Sequence, residues 1–178
     1  MERATTPVII PQDGGIATDA VALPPALAAK IDRVLISKTQ ISERMATLAD
    51  EIRETYAGLD EIVAVVVLKG AFIFAADLGR AIVERGGPEV HCEFMRASAY
   101  GNDIKDLDET ERDVRVELKP DNMWGKHVLL IEDIVDQGFT LARVQRILED
   151  EGAASVKICT LLLKHLDNPT AKVKALRD

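Results

Sequence analysis

The chain has 178 residues, a formal net charge of −8 and an aromatic content of only 4%. This length suffices for one domain with its own hydrophobic core. An acidic chain with few aromatic side chains lacks the basic surface of a general nucleic-acid binder, and no apolar run in the sequence is long enough to cross a membrane. The first residues also lack the basic-then-apolar order of a signal peptide, so we expect a cytoplasmic protein that binds neither membranes nor nucleic acid.

Strand and helix patterns alternate along the chain after a start without periodicity. Residues 1–25 are rich in Ala, Pro, Thr and Gly and predict a flexible leader, and residues 26–178 predict a single domain. A capping box begins at Ser37, and apolar residues then recur at helical spacing over 41–56. The later predictions are strand 61–68, helix 70–86, strand 90–95, a mobile loop at 96–112, strand 114–118, strand 128–131, helix 140–150 and strand 156–163. This alternation predicts an α/β fold, with a mostly parallel central sheet flanked by helices.

Two cysteines and three histidines are the residues that could indicate a disulfide or a transition-metal site. Cys92 and Cys159 both fall in predicted strands, so we expect buried free thiols in a reducing compartment. No histidine stands at metal-ligand spacing from a cysteine or another histidine. The chemistry is therefore expected to depend on other side chains.

Residues 128–140 combine an apolar strand pattern with acids, a glycine and a helix start. Acids at the carboxyl end of a parallel strand lie where open α/β sheets bind ligands. Gly138 lets backbone amides crowd together, and a helix beginning near Thr140 adds unpaired N–H groups and the positive end of its dipole. This turn predicts a cradle for one phosphate, beside which Glu132 and Asp133 suit sugar hydroxyls or a hard cation such as Mg²⁺.

The segment E-D-I-V-D-Q-G-F-T at 132–140 resembles the phosphoribosyl pyrophosphate (PRPP) signature of the type I phosphoribosyltransferases, in the form found in enzymes acting on hypoxanthine and guanine. Two further segments match that family in order: L-K-G at 68–70 and F-M-R-A-S-A-Y-G at 94–101. An ordinary strand–turn–helix connection with solvated acids would explain one motif but not three. The resemblance spans about residues 31–165 and implies the type I phosphoribosyltransferase fold.

The resemblance assigns the PRPP half of a site. Glu132 and Asp133 would hold the ribose hydroxyls, directly or through Mg²⁺ and its waters. The residues expected around the 5′-phosphate are Asp136, Gln137, Gly138, Phe139 and Thr140. The residues that correspond to the pyrophosphate-binding loop, which often has a cis peptide between its Leu and Lys, are Leu68, Lys69 and Gly70. The residues at the entry of the flexible loop that closes over the reacting centre are Ser98, Ala99 and Tyr100.

Two positions depart from the family pattern in this half. Gln137 stands where relatives usually carry Thr or Ser, whose hydroxyl can bond the 5′-phosphate. Ala99 stands where relatives carry the Ser of a Ser-Tyr pair, with Ser98 one position early. Backbone amides are expected to bind the phosphate even with Gln137 in place of Thr or Ser. Ala99 removes one hydroxyl contact that relatives make.

Two residues correspond to the purine half. Asp136 matches the family's general acid/base beside N7 of the purine, where a carboxylate in a partly dry cleft can take a proton from the ring. It could instead shape the turn by accepting bonds from backbone amides, and the two roles are compatible. Lys164 matches the lysine that donates to the 6-oxo group, and because lysine offers donors only, it would favour a 6-oxopurine over adenine. The alternative is a strand-end lysine in solvent.

The resemblance implies a purine salvage enzyme. Hypoxanthine or guanine and PRPP would give IMP or GMP and pyrophosphate, with Mg²⁺ as cofactor and a dimer or tetramer as the assembly. Family members continue past the lysine with a C-terminal hood segment that closes the purine site, and the sequence after Lys164 has no match to it. The alternative is therefore a catalytically weak or inactive PRPP-binding or regulatory relative. Xanthine specificity also stays open, as does an RNA-binding regulator on the same fold, which the acidic charge opposes.

Overall fold

The computed structural model describes residue 10, residues 14–99 and residues 114–165. The short elements near the start are strand β1 (Ile16–Ala17), a 3-10 turn (Thr18–Ala20), helix α1 (Pro25–Ala28) and strand β2 (Arg33–Val34). The main elements are helix α2 (Lys38–Thr55), strand β3 (Glu61–Val67), helix α3 (Ala71–Glu84), strands β4 (Glu89–Ala99), β5 (Val114–Leu118) and β6 (His127–Val135), helix α4 (Phe139–Asp150) and strand β7 (Ser155–Leu163).

A five-stranded sheet with the order β5-β4-β3-β6-β7 forms the centre of the fold. β3 pairs in parallel with β4 and with β6, and β6 pairs in parallel with β7. The β4–β5 pair is antiparallel. Parallel neighbours need crossover connections, which α3 and α4 supply. The predicted α/β fold is confirmed, and the carboxyl ends of β3, β6 and β7 meet at one edge of the sheet.

Each face of the sheet has its own hydrophobic cluster. One cluster joins alternate residues of β3 and β6 to α2 and α3, and it includes Ile62, Ala64, Val66, Leu129, Ile131 and Leu78. The other joins the intervening residues to α4, and it includes Val63, Val65, Val128, Leu130, Leu141 and Val144. Because helices cover both faces, residues 62–67 of β3 are all buried. Among the described residues, no helix is long and apolar enough to cross a membrane.

The start of α2 matches its predicted capping box. The Ser37 backbone N–H donates to Gln40 Oε1 at 2.8 Å, and the Gln40 backbone N–H donates to Ser37 Oγ at 3.2 Å. Within the predicted leader, Ile16 and Ala17 pair with Val34 and Arg33 in a short antiparallel sheet. Residues 1–9, 11–13 and 166–178 lie outside the described residues, and the division into a leader and one domain stays a prediction.

Two strands are longer than their sequence patterns indicate. β6 continues to Val135 because Glu132, Ile134 and Val135 keep their pairing with β7, so the acids lie within the strand rather than after it. β4 continues to Ala99, so the prediction that a loop begins at residue 96 is wrong. Its parallel pairing with β3 ends at Met95, and the strand then pairs with β5 from Arg96 onward, with a register shift between Arg96 and Ala97.

The two cysteines differ in their surroundings. Both are free thiols, and Cys159 is buried as expected. The expectation that Cys92 is buried is wrong, because this thiol is exposed. Its neighbours Val90 and Phe94 on β4 are only partly covered by the α3 side of the core, so strand membership there does not bring burial.

Alkaline pH is expected to destabilise the fold through Tyr56 and Cys159. The buried Tyr56 hydroxyl donates to the Val128 carbonyl oxygen at 3.0 Å. Burial and then the Cys159 thiol raise the pKa of Tyr56, and burial raises the pKa of Cys159 to about 12. Both folded pKa values lie above the unfolded ones, so the stabilisation is complete below the unfolded values and is lost as pH rises through the folded ones. The free energy of unfolding should therefore fall from about pH 9 upward.

Tyr56→Phe tests this expectation. The variant should lose about 1 kcal/mol at pH 7, because one hydrogen bond is removed, but its stability should decline less steeply at alkaline pH. Urea denaturation from pH 7 to about pH 10.5 measures both effects. Cys159→Ala should make the free energy of unfolding fall less steeply at the lower end of this alkaline pH range. An alkaline slope that neither substitution changes would contradict the assignment.

Candidate active site

A cleft of about 360 Å³ opens at the carboxyl edge of the sheet. Its walls come from the ends of β3, β4 and β6 and from the turn that leads into α4. The lining residues are Val67, Leu68, Gly70, Ala97 and residues 132–141. All three sequence motifs therefore contribute to one concave surface, as expected for the carboxyl edge of a parallel sheet.

The turn between β6 and α4 has the geometry of an anion site. Gly138 precedes the helix with φ at 74°, a left-handed conformation that favours glycine. α4 then begins at Phe139, and its N-cap residue, Gly138, has no side chain that could cap this end. The backbone N–H groups of the first helical turn have no partner within the helix, and the positive end of the helix dipole adds to their attraction for an anion. All five residues predicted around the phosphate, 136–140, line the cleft.

Glu132 and Asp133 lie side by side in the cleft wall, both half-buried. The Asp133 backbone N–H donates to Glu132 Oε1 at 3.3 Å. Burial first, and then the hydrogen bond and charge of the Asp133 carboxyl, raise the pKa of Glu132 to about 8. Two carboxylates in such a place repel each other unless a proton or a cation lies between them.

This donor set fits Mg²⁺ held jointly with substrate oxygens. Within the described residues, no three His, Cys, Asp or Glu side chains are grouped to hold a metal ion. Mg²⁺, however, commonly binds through one or two carboxylates together with phosphate oxygens and waters. Glu132 and Asp133 supply such a partial set, and a cation there would relieve the repulsion between them.

The L-K-G turn begins where β3 ends. The Leu68–Lys69 peptide is cis, as the family resemblance implies. The Leu68 backbone N–H donates to the Met95 carbonyl oxygen at 2.8 Å, which ties the turn to β4. Leu68 and Gly70 line the cleft, whereas Lys69 is exposed and is not among the lining residues. The turn therefore contributes Leu68 and the bare backbone of Gly70 to the cleft wall.

Lys164 and Asp136 form an ion pair at the same edge. Lys164 Nζ donates to Asp136 Oδ2 at 2.7 Å, and each side chain is 52% exposed. The Lys164 backbone N–H also donates to the Val135 carbonyl oxygen at 2.9 Å, which fixes the end of β7 beside the turn. The sequence separates the two predicted purine-site residues by 28 positions, and the strand order brings them into direct contact.

The residues predicted at the flexible loop are only partly described. Ser98 and Ala99 are the last residues of β4, opposite Arg115 and Val114 of β5, and Tyr100 lies outside the described residues. Ala97, just before them, lines the cleft although sequence reasoning did not select it. Its place within the F-M-R-A-S-A-Y-G segment at 94–101 was the signal that the sequence offered.

Known proteins resemble this chain in both sequence and fold. Residues 36–175 match the family described as the phosphoribosyl transferase domain. Hypoxanthine phosphoribosyltransferase of Haemophilus influenzae is 41% identical over 134 residues, which cover 74% of this chain and 70% of that protein. Hypoxanthine-guanine phosphoribosyltransferase of Crithidia fasciculata is 38% identical over 138 residues, covering 74% and 64%.

The fold comparison agrees with the sequence comparison. The crystal structure of the Leishmania donovani hypoxanthine-guanine phosphoribosyl transferase aligns with a TM-score of 0.65 at 36% identity, and the alignment covers 80% of this chain and 79% of that one. A Trypanosoma cruzi hypoxanthine phosphoribosyltransferase in complex with IMP aligns with a TM-score of 0.64 at 33% identity, covering 77% and 74%. On both sequence and fold, the chain belongs to the phosphoribosyltransferase family.

Proposed function

We propose that the chain is a purine salvage enzyme that transfers the phosphoribosyl group of PRPP to hypoxanthine or guanine, forming IMP or GMP and releasing pyrophosphate. The observation that carries the proposal is the convergence of the phosphate-binding turn, the two carboxylates and the Asp136–Lys164 pair at one sheet edge. The names of the similar proteins, which are hypoxanthine or hypoxanthine-guanine phosphoribosyltransferases, support the same activity.

The PRPP half of the site would work through the backbone and the acids. The N–H groups at the start of α4 would bind the 5′-phosphate, and the turn at 68–70 would face the pyrophosphate. Glu132 and Asp133 would accept bonds from the ribose hydroxyls and hold Mg²⁺. The bound Mg²⁺ would supply positive charge to the departing pyrophosphate. Holding both ends of PRPP would fix the ribose so that its C1′ faces the purine side of the cleft.

The purine half would exchange one ion pair for two hydrogen bonds. A 6-oxopurine with a proton on N7 could donate to the Asp136 carboxylate and accept from Lys164 at O6, so both partners of the pair would stay satisfied. Adenine carries an amino group on C6 instead of the oxo group. The N–H groups of that amine would face the N–H groups of Lys164, and neither side would have an acceptor. The pair would therefore select 6-oxopurines and reject adenine by leaving a charged group without an acceptor.

Asp136 would then act as the base. As N9 of the purine bonds to C1′, positive charge develops on the imidazole ring and acidifies the N7 proton. A carboxylate already hydrogen-bonded to that proton can accept it without rearrangement. Lys164 would stabilise the charge on the 6-oxo side of the same ring.

An assay of the 178-residue chain with PRPP, Mg²⁺ and one of four bases tests the proposal. Chromatography would measure the mononucleotide formed from hypoxanthine, guanine, xanthine or adenine. We expect turnover with hypoxanthine or guanine and a kcat/KM at least about 100-fold lower with adenine. PRPP binding by calorimetry without turnover of any base would instead identify the inactive PRPP-binding alternative, which no described observation favours.

We also propose a homo-oligomer located in the cytoplasm. In a solved hypoxanthine phosphoribosyl transferase of Trypanosoma cruzi, the C-terminal region has a role in the oligomeric state and the enzymatic activity. That structure aligns with this chain at 33% identity with a TM-score of 0.68. In this chain, Phe72 and Ile73 at the start of α3 are 50% and 66% exposed, and a second copy could cover them. Both cysteines are free, which fits a reducing compartment. Light scattering of the purified chain would measure the assembly.

A further inference from the structure

Gly70 and Asp133 occupy adjoining space with no gap between them. A Cβ atom built on Gly70 would lie 2.6 Å from Asp133 Cγ and 2.9 Å from Oδ1, and closer still to Oδ2. The three nearest atoms to this position all belong to the Asp133 carboxyl group. Real Cβ atoms are essentially never found within 3.0 Å of such neighbours. The carboxylate of Asp133 therefore fills the volume that a side chain at position 70 would need.

The backbone at Gly70 does not itself require glycine. Its φ of −59° and ψ of −44° lie in the ordinary right-handed helical region, which alanine adopts freely. This residue type is therefore explained by the neighbour it touches rather than by its conformation. Gly138, whose φ is 74°, is the opposite case.

Neither backbone is free to withdraw. On one side, Ala71 follows Gly70 directly and is fully buried at the start of α3. On the other side, Asp133 stands between Glu132 and Ile134, which are both held in the pairing of β6 with β7. A larger residue at position 70 would have to move the side chain of Asp133, because the two backbones are fixed.

We propose that Gly70 is a positioning residue for PRPP: its bare Cα fixes the pyrophosphate turn directly against the ribose carboxylate of Asp133 and keeps that carboxylate aimed into the cleft. This inference rests on the proposed function and adds to it. PRPP carries its pyrophosphate on the carbon next to a hydroxyl-bearing carbon of the ribose, so the groups that bind them must stand close together. The Gly70–Asp133 contact sets that spacing, and the Asp136–Lys164 pair takes no part in it.

A double-mutant cycle tests the contact. Gly70→Ala should raise the Kd for PRPP in the presence of Mg²⁺ at least about tenfold, or about 1.4 kcal/mol, and should raise the KM for PRPP while leaving the KM for the base within about threefold. In an Asp133→Ala background, where the space is free, Gly70→Ala should change neither the Kd nor the KM for PRPP further. Calorimetry gives the Kd without requiring turnover.

Gly79→Ala is the matched control. Gly79 lies within the same helix, and a Cβ there would meet Val90 at an ordinary 3.7 Å. The Gly79→Ala variant should bind PRPP with the same Kd as the unmodified chain. If Gly70→Ala alone fails to fold, as judged by its Tm, recovery of the fold in the double variant supports the contact, and no recovery overturns it.

Two failures are distinguishable. If the unmodified chain does not bind PRPP, the proposed function falls and this inference with it. If the unmodified chain binds PRPP and Gly70→Ala binds it equally well, or if the two substitutions weaken binding additively, this inference alone is overturned.

Discussion

Replacing Asp136 with asparagine is expected to lower the rate of nucleotide formation by about 100- to 10,000-fold, the usual range for loss of a general base. The amide keeps the size and shape of the carboxyl group but cannot accept the N7 proton. Because product release limits kcat in many enzymes, the single-turnover rate is the quantity to compare. PRPP binding should change little, since the phosphate turn is built mainly from backbone groups.

Asp77→Asn provides the control for this substitution. Asp77 is half exposed on α3 and pairs with Arg80, away from the residues that line the cleft. The control should therefore keep the rate of the unmodified chain. A single-turnover rate for Asp136→Asn within about threefold of the unmodified chain would mean that Asp136 only shapes the turn.

Lys164→Met is expected to raise the KM for hypoxanthine or guanine by about ten- to 100-fold, because one charge-assisted hydrogen bond to the base is lost. Methionine retains the apolar part of the lysine side chain, so the change isolates the ammonium group. The KM for PRPP should move much less. Discrimination against adenine should also weaken, since the donor that opposes its amino group is gone. Steady-state kinetics with each substrate varied in turn separates these effects.

Lys126→Met is the matched control. Lys126 directly precedes β6, at the amino ends of the parallel strands and away from the cleft, and its Nζ lies 4.0 Å from Glu61 Oε1. It should leave both KM values unchanged. An unchanged KM for the base in Lys164→Met would support the simpler interpretation of Lys164 as a solvated strand-end residue, and it would remove the structural basis proposed for base selection.

Features that depend on residues close together in the chain could be predicted from the sequence. Burial on both faces makes β3 and β6 continuous apolar runs, and the glycine before a helix start makes residues 136–140 recognisable as a turn suited to bind an anion. The pattern ends β6 too early because backbone pairing with β7 continues through Glu132, whose polar side chain gives no strand signal. Apolar periodicity reports which side chains are buried, whereas a strand ends where its hydrogen-bonded ladder ends.

Contacts between motifs depend on which strands become neighbours, and sequence periodicity does not contain that information. The Asp136–Lys164 pair forms because β7 lies beside β6. Gly70 fits against Asp133 because β3 lies on the other side of β6.

The position of Lys164 has a consequence for how base preference can evolve. It directly follows β7, which is the edge strand of the described sheet, and a main-chain bond from its N–H to the Val135 carbonyl oxygen fixes its backbone. That bond is independent of the side chain, so residue 164 can be exchanged while the chain still ends beside the cleft. Under the base-binding role proposed for Lys164, substitution at this single position would change base preference while the site for the phosphoribosyl donor and the strands at the centre of the sheet stay unchanged.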